Sequence, residues 1–451
     1  MYSLQLLLAL GCLFGCRLVT AQVDAHCNSV EEPPTVKYMI YPVNGMNQTQ
    51  NSKNEDFIKS IIGQDTVLDS YTSESEGLLW WFTYMNAGQA CLLMKNKTEI
   101  LLADEIDKYP DGELDRLPRV APRAPEFTSQ NKAVAELVVL SQPKTVPDYT
   151  KLQNYVYNVN AGQGTYIYIV EEGIDVETDD LDSKVNQYIF SKTKQKSGNQ
   201  DDSEDGHTTC VASKAAGKNF GVAKKAELVS VKTSISDPRD ISSIFDQILS
   251  DVQKKKRQGK AVINLSWGVA PPSNGVVPQH WLIAARHLRK LMNEEDVIVV
   301  GSAGNHRQYP GRENIDRYPK IFAADDFPII NVGNTLANGN ANKYSQIGPK
   351  LHVWAVGTDI TCASAKRKDP NKPWSPDRKN YGTSFAAPQV AGLLAYFLSL
   401  DTVPFSTKHG TLALNARNFM RDRASYQRGG PGGIANVAWN LVTEDQNKPT
   451  S

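Results

Sequence analysis

The chain has 451 residues, with 49 Lys+Arg against 49 Asp+Glu and a formal net charge of zero. That length exceeds one modest domain and suits a leader, a small domain and a large core. Balanced charge leaves no field to recruit nucleic acid or an anionic membrane, and no run approaches the ~20 apolar residues of a bilayer span, so a monomer with neither partner is expected.

Residues 1–21 read as a signal peptide: an apolar core from Leu4 to Phe14 precedes Val19-Thr20-Ala21, a small-x-small cleavage pattern, although no positive charge comes before the core. The rest is therefore expected to be secreted, Cys12 and Cys16 leaving with the leader. From 22 to 108, Thr35 to Tyr41 reads as a strand, Glu55 to Ile62 as an amphipathic helix, and Leu78 to Met85 as a strand. Gln89 to Leu93 opens a second helix and Glu99 to Asp104 is a last strand, so the order approximates β-α-β-β-α-β, a small α+β domain. Asn47-Gln48-Thr49 and Asn96-Lys97-Thr98 fall between these elements as glycosylation sequons; Asn264-Leu265-Ser266 sits in a buried-strand pattern and is expected to stay unused. Pro110, Pro118, Pro122 and Pro125, interleaved with Arg116, Arg119 and Arg123, mark 109–145 as a linker with a processing site.

Within 146–451, Tyr166 to Val170, Val262 to Leu265 and Val297 to Val300 read as buried strands of a mostly parallel, doubly wound α/β sheet. Ile241, Ile244, Phe245, Ile248, Leu249 and Val252 have helical spacing, and the following Lys254-Lys255-Lys256-Arg257 suits a helix C-terminus better than a nucleic-acid patch. Gly382-Thr383-Ser384 makes a tight turn at the mouth of the apolar run from Phe385 to Gly392, where free N–H groups and the helix dipole favour an oxyanion. The strand from Val297 continues into Gly301-Ser302-Ala303-Gly304-Asn305 and delivers Asn305 to the sheet's carboxyl edge. His207 stands in Asp205-Gly206-His207-Thr208-Thr209-Cys210, and Glu171 closes the strand from Tyr166.

These segments resemble the motifs of the subtilisin-like serine proteases (subtilases). The resemblance runs from about Val146 to Trp439 and implies a secreted serine endopeptidase acting on polypeptide substrates, with Ser384 as nucleophile, His207 as general base, Glu171 as the orienting carboxylate and Asn305 in the oxyanion hole. It further implies that Ser266, Trp267 and Gly268 form a substrate-binding strand edge, Trp267 serving as wall, and that Ser302, Ala303 and Gly304 line the first specificity pocket. The small domain ahead of the core resembles the family's propeptide, an intramolecular inhibitor of the zymogen. No cofactor or catalytic metal is implied, and calcium leaves no readable signature. Around the histidine and the orienting carboxylate three positions depart from the family pattern: Glu171 for Asp, Thr208 for Gly, and Cys210 for a second His. Thr208 is expected to add bulk beside the imidazole, and Glu171→Asp to keep or raise activity. The alternative these departures raise is a catalytically impaired homologue that binds peptides or a partner protein. The four remaining cysteines allow three pairings, of which Cys27–Cys91 with Cys210–Cys362 keeps each pair within one domain; a free Cys210 thiol is the rival.

Overall fold

The computed structural model describes residues 35–43, 48–96, 100–103, 126–365, 381–429 and 435–449. The leader, Cys27, the Asn47 sequon, the Asn96 side chain and the Lys366 to Arg378 loop lie outside them. The chain divides into two compact units, Met1–Lys108 with Asp237–Ser243 and Pro271–Leu282, and Tyr109–Ser236 with Ile244–Ala270 and Ile283–Ser451.

The smaller unit holds β1 (Val36–Pro42), α1 (Gln48–Ile62), β2 (Leu68–Ser73), β3 (Gly77–Met85), α2 (Ala87–Asn96) and β4 (Ile100–Ala103). Its sheet is antiparallel in the order β2-β3-β1-β4. Ile40 and Trp81 from the sheet meet Ile58, Ile62 and Leu93 from the helices in one apolar cluster. Asn86 opens α2 with a reciprocal cap: Gln89 N–H donates to Asn86 Oδ1 at 2.8 Å and Asn86 N–H to Gln89 Oε1 at 2.9 Å. β2, with the polar sequence LDSYTS, completes the order that periodicity only approximated.

The larger unit begins before the sequence suggested. β5 (Phe127–Gln130) pairs with β6 (Tyr155–Asn158), and between them lies α3 (Ala135–Leu140). Glu136 of α3 is 2% exposed and accepts a 2.6 Å bond from Lys214 Nζ, so 126–145, expected as linker, is integral to this unit. Its sheet then adds β7 (Tyr166–Glu171), β8 (Val185–Phe190), β9 (Glu227–Lys232), β10 (Ala261–Leu265), β11 (Ile298–Ser302), β12 (Ile330–Thr335), β13 (Val353–Val356), β14 (Ser425–Arg428) and β15 (Ala435–Ala438). Among the described residues the strand order is β14-β15-β13-β12-β11-β10-β7-β9-β8, parallel except for β14 against β15. The helices are α4 (His207–Ala216), α5 (Pro238–Lys254), α6 (Gln279–Asn293), α7 (Thr383–Leu398) and α8 (Leu412–Asp422).

All sixteen residues of α7 are buried, because its Ala, Leu and Phe side chains have apolar neighbours on every side. Arg257, from the basic run after α5, is likewise buried and donates to Asp251 at 2.7 Å, which removes it from any nucleic-acid surface. Asn264 has no exposed surface within β10, out of reach of glycosylation in the folded protein. Cys210 of α4 is disulfide-bonded to Cys362, which settles its rival reading as a free thiol.

His352, half-buried just before β13, accepts the Asn331 N–H on Nδ1 at 3.0 Å. Burial, reinforced by the charges of Arg417, Arg421 and Lys350, pushes its pKa down to about 3. The unfolded chain would take up that proton near pH 6.5 while the folded chain does not, so this stability is present above about pH 6.5 and lost as pH falls toward 3. His352→Asn retains an acceptor but cannot titrate. Its urea midpoint is expected to fall less steeply than that of the wild type between pH 6.5 and pH 4.

Candidate active site

β7 lies where the strand order reverses: β9 and β8 continue on one side, β10 through β13 on the other. The crevice outside the carboxyl ends of strands at such a reversal is where open α/β sheets place their sites. Glu171 is the last residue of β7, Ser266 follows β10, and Asn305 follows β11. His207 and Ser384 open α4 and α7.

Glu171 is 3% exposed, and its Oε2 accepts two hydrogen bonds, from His207 Nδ1 at 3.0 Å and from Thr208 Oγ1 at 2.5 Å. A carboxylate only accepts, so the Nδ1 proton is held against it and Nε2 is the basic nitrogen of the neutral ring. Thr208 therefore does something other than crowd the imidazole. Its hydroxyl ties the longer Glu side chain to the residue beside His207, and the two departures act as one unit. Asp175 is committed to a local turn, accepting Glu177 N–H on Oδ1, and does not replace Glu171.

The first turn of α4 is held from outside. Gly206 at its cap offers no side chain, so Asp201 Oδ2 takes the Thr209 N–H at 2.8 Å and the Thr209 hydroxyl at 2.6 Å. Ser203 Oγ accepts the Thr208 N–H at 3.1 Å. Buried Lys232 fastens the same loop by donating to the Gly198 and Gln200 carbonyls at 2.9 and 2.8 Å. These caps escaped sequence reasoning because they come from the loop before the helix rather than from its own N-cap position.

Ser384 is the second residue of α7, entered through Gly382 at φ 153°, a conformation open to glycine. Asn305 Oδ1 accepts from the Thr383 N–H at 2.9 Å and the Thr383 hydroxyl at 3.1 Å, and Thr383 Oγ1 accepts from Gly304 N–H at 3.0 Å. A backbone donor on Oδ1 fixes the Asn305 amide, with its NH2 end on the opposite side. Ser266 Oγ donates to the Ser384 carbonyl at 2.8 Å, so this residue, expected at a substrate edge, grips the turn that carries Ser384. Trp267, Ser302 and Ala303 are buried, at 1, 3 and 2% exposure, and Gly268 and Gly304 complete their two segments. Ser384 Oγ is buried and hydrogen-bonds to no described residue; the neighbouring Phe385 ring lies 5.2 Å from the His207 ring. The structure thus joins Glu171 to His207 and sets Ser384 on the adjoining helix, with the third bond of the set not closed, as is common before substrate binds.

This constellation on this sheet coincides with a match of residues 162–425 to the Subtilase family model, Peptidase_S8. The chain belongs to the subtilase family. It is 32% identical over 263 residues to Subtilisin-like protease 3 of Pseudogymnoascus destructans, an alignment covering 57% of each chain. It is 31% identical over 255 residues to Alkaline protease 1 of Aspergillus flavus, over 55% of this chain and 56% of that one. The match thus spans little more than half the length of these relatives. Among solved structures, the epidermin leader peptide processing serine protease of Staphylococcus aureus superposes with a TM-score of 0.59 at 15% identity, covering 92% of this subtilase and 100% of that chain, which shows the shared fold.

The packed geometry reverses one expectation. Shortening residue 171 by a methylene withdraws the carboxylate about 1 Å from both His207 and Thr208, so Glu171→Asp is expected to lower the hydrolytic rate on the order of 100-fold, and Glu171→Gln about 10⁴-fold. Thr208→Val is expected to lower kcat about 10-fold at unchanged KM, with Thr208→Ser near wild type. Steady-state kinetics on a fluorogenic peptide check all four.

Proposed function

We propose that this subtilase is a secreted serine endopeptidase whose triad is Ser384, His207 and Glu171. The observation that carries the reading is the 3.0 Å bond from His207 Nδ1 to the buried Glu171 carboxylate, beside the helix N-terminus that bears Ser384. In the reaction so written, His207 Nε2 takes the Ser384 Oγ proton as Oγ attacks the peptide carbonyl. Glu171 holds the imidazole and stabilises the imidazolium, and His207 returns the proton to the leaving amine. The oxyanion meets the Ser384 N–H, which as a first-turn donor has no intrahelical acceptor, together with Asn305 Nδ2; one such donor is worth about 10²–10³ in turnover. Every step draws on side chains and backbone of this chain, without a cofactor.

Secretion is supported by the leader pattern of residues 1–21 and by the Cys210–Cys362 bond, which suits an oxidising compartment. Among the described residues no helix is long and apolar enough to cross a membrane. We assign the antiparallel α+β unit of residues 22–108 as the propeptide, removed by cleavage in the Pro- and Arg-rich stretch that follows.

A fluorophosphonate probe is expected to label the wild-type protein and not Ser384→Ala. Ser384→Ala is also expected to be secreted as a longer product, because the precursor cleaves itself. An unlabelled wild type would refute the endopeptidase reading, whereas labelling with equal product sizes would refute self-processing alone.

A further inference from the structure

Asp201 joins the two elements that carry His207 and Glu171. Its Oδ2 accepts the Thr209 N–H at 2.8 Å and the Thr209 hydroxyl at 2.6 Å, while its Oδ1 accepts the Ser203 N–H at 2.9 Å and the Ser203 hydroxyl. Each hydroxyl passes the hold along. Thr209 Oγ1 accepts the N–H of Asp175, in the turn after β7, at 3.1 Å, and Ser203 Oγ accepts the Thr208 N–H at 3.1 Å. Thr208 in turn donates its hydroxyl to Glu171 at 2.5 Å. One carboxylate thus ties the first turn of α4 to the chain leaving β7.

The ionised form suits this place and the neutral form does not. All four contacts come from donors, so a proton arriving on either oxygen displaces one of them, and the others lose their charge assistance and the attraction of the helix N-terminus. Burial pushes the Asp201 carboxyl up to about 6, against the pull of these same hydrogen bonds. The proton therefore arrives in the range where a histidine base also titrates. Other charged groups stand on the elements packed here. On the loop of Asp201 they are Asp205 and Asp202, the latter 2.7 Å from Lys232 of β9 and 4.0 Å from Lys194. The turn after β7 bears Glu172, Glu177 and Asp175, which accepts the Glu177 N–H at 3.0 Å, and α4 bears His207, bonded to Glu171.

We propose that Asp201 is a positioning residue of the triad, effective as its carboxylate, and that protonating it loosens the first turn of α4 and with it the alignment of His207 on Glu171. The inference rests on the peptidase reading and adds to it a second acid-sensitive group.

The test measures kcat/KM on a fluorogenic peptide from pH 5 to pH 8 for the wild type, Asp201→Asn and Asp202→Asn. Asn keeps an acceptor without the charge and so stands for the protonated state at every pH. The wild type is expected to exceed Asp201→Asn about 10-fold at pH 8, with the ratio closing toward one at pH 5. Asp202→Asn removes a charge from the same loop but no bond to α4, and is expected to track the wild type throughout. A ratio near one at pH 8 overturns the proposal. So does a ratio that stays constant down to pH 5, the mark of a merely structural cap, or an Asp202→Asn profile that matches Asp201→Asn. Thr209→Val keeps the carboxylate and removes the hydroxyl link; it is expected to lose about 10-fold at pH 8, with Thr209→Ser near the wild type. A Thr209→Val enzyme at the wild-type rate overturns the proposal even where Asp201→Asn does not fold. In the Ser384→Ala background, the downfield proton resonance of His207 Nδ1–H at pH 8 reads the same alignment without turnover, and adding Asp201→Asn should broaden it through faster exchange with water. If the wild type hydrolyses nothing and the resonance still broadens, the positioning role stands and only the peptidase reading falls. An unchanged resonance overturns the positioning role whatever the wild type does.

Discussion

Two helices in the larger unit approach so closely that a methyl group would not fit between them. A Cβ on Gly392 of α7 would lie 2.5 Å from the Ala215 carbonyl and 2.8 Å from Val222 Cβ. α4 carries His207 at its first position and α7 carries Ser384 at its second, so this contact fixes the distance between the two N-termini. The burial of α7 follows from the same constraint: a helix that close to its neighbour must be small on that face and apolar elsewhere. The geometry at the crevice inherits its precision from packing about two turns away.

The loop from Gly198 to Ser203 has the complementary task. α4 begins at the site, so its N–H groups cannot be capped by residues that would occupy the crevice. Asp201 and Ser203 reach in from the side, and Lys232 holds the loop to the sheet. The imidazole is thereby positioned from both ends, through its helix and through Glu171. Replacing Asp by Glu at the end of β7 lengthens one arm of this frame, and Thr208 accommodates the extra length with a hydroxyl on the same carboxylate oxygen.

The residues at strand and helix ends were legible in the sequence because their local backbone demands are sharp. A short continuous apolar run closing in Gly-Asn reads as the end of a buried strand, and a Gly-Thr-Ser turn before an apolar stretch reads as the opening of a buried helix. β2 was less legible since LDSYTS lacks a clean alternation, and 126–145 was hidden by the adjoining Pro-rich stretch although Glu136 pairs with Lys214 nearly eighty residues on. Thr208 was visible as a departure but its direction was not: a hydroxyl beside histidine reads as bulk until the carboxylate it meets is placed in space.

The order of these residues along the chain governs when the site can exist. Glu171, His207 and Asn305 are synthesised well before Ser384, and the helix that bears Ser384 fills a space walled by β10 through β13 and α4. Until α7 inserts, that face of the sheet has nothing to bury it, and long-range closure of this kind is slow and exposes apolar strands meanwhile. A nascent chain stalled before residue 383 therefore has most of the sheet and lacks Ser384. Glu171, His207 and Ser384 therefore come together only once most of the parallel sheet is in place, with α8 and the β14–β15 pair still to follow.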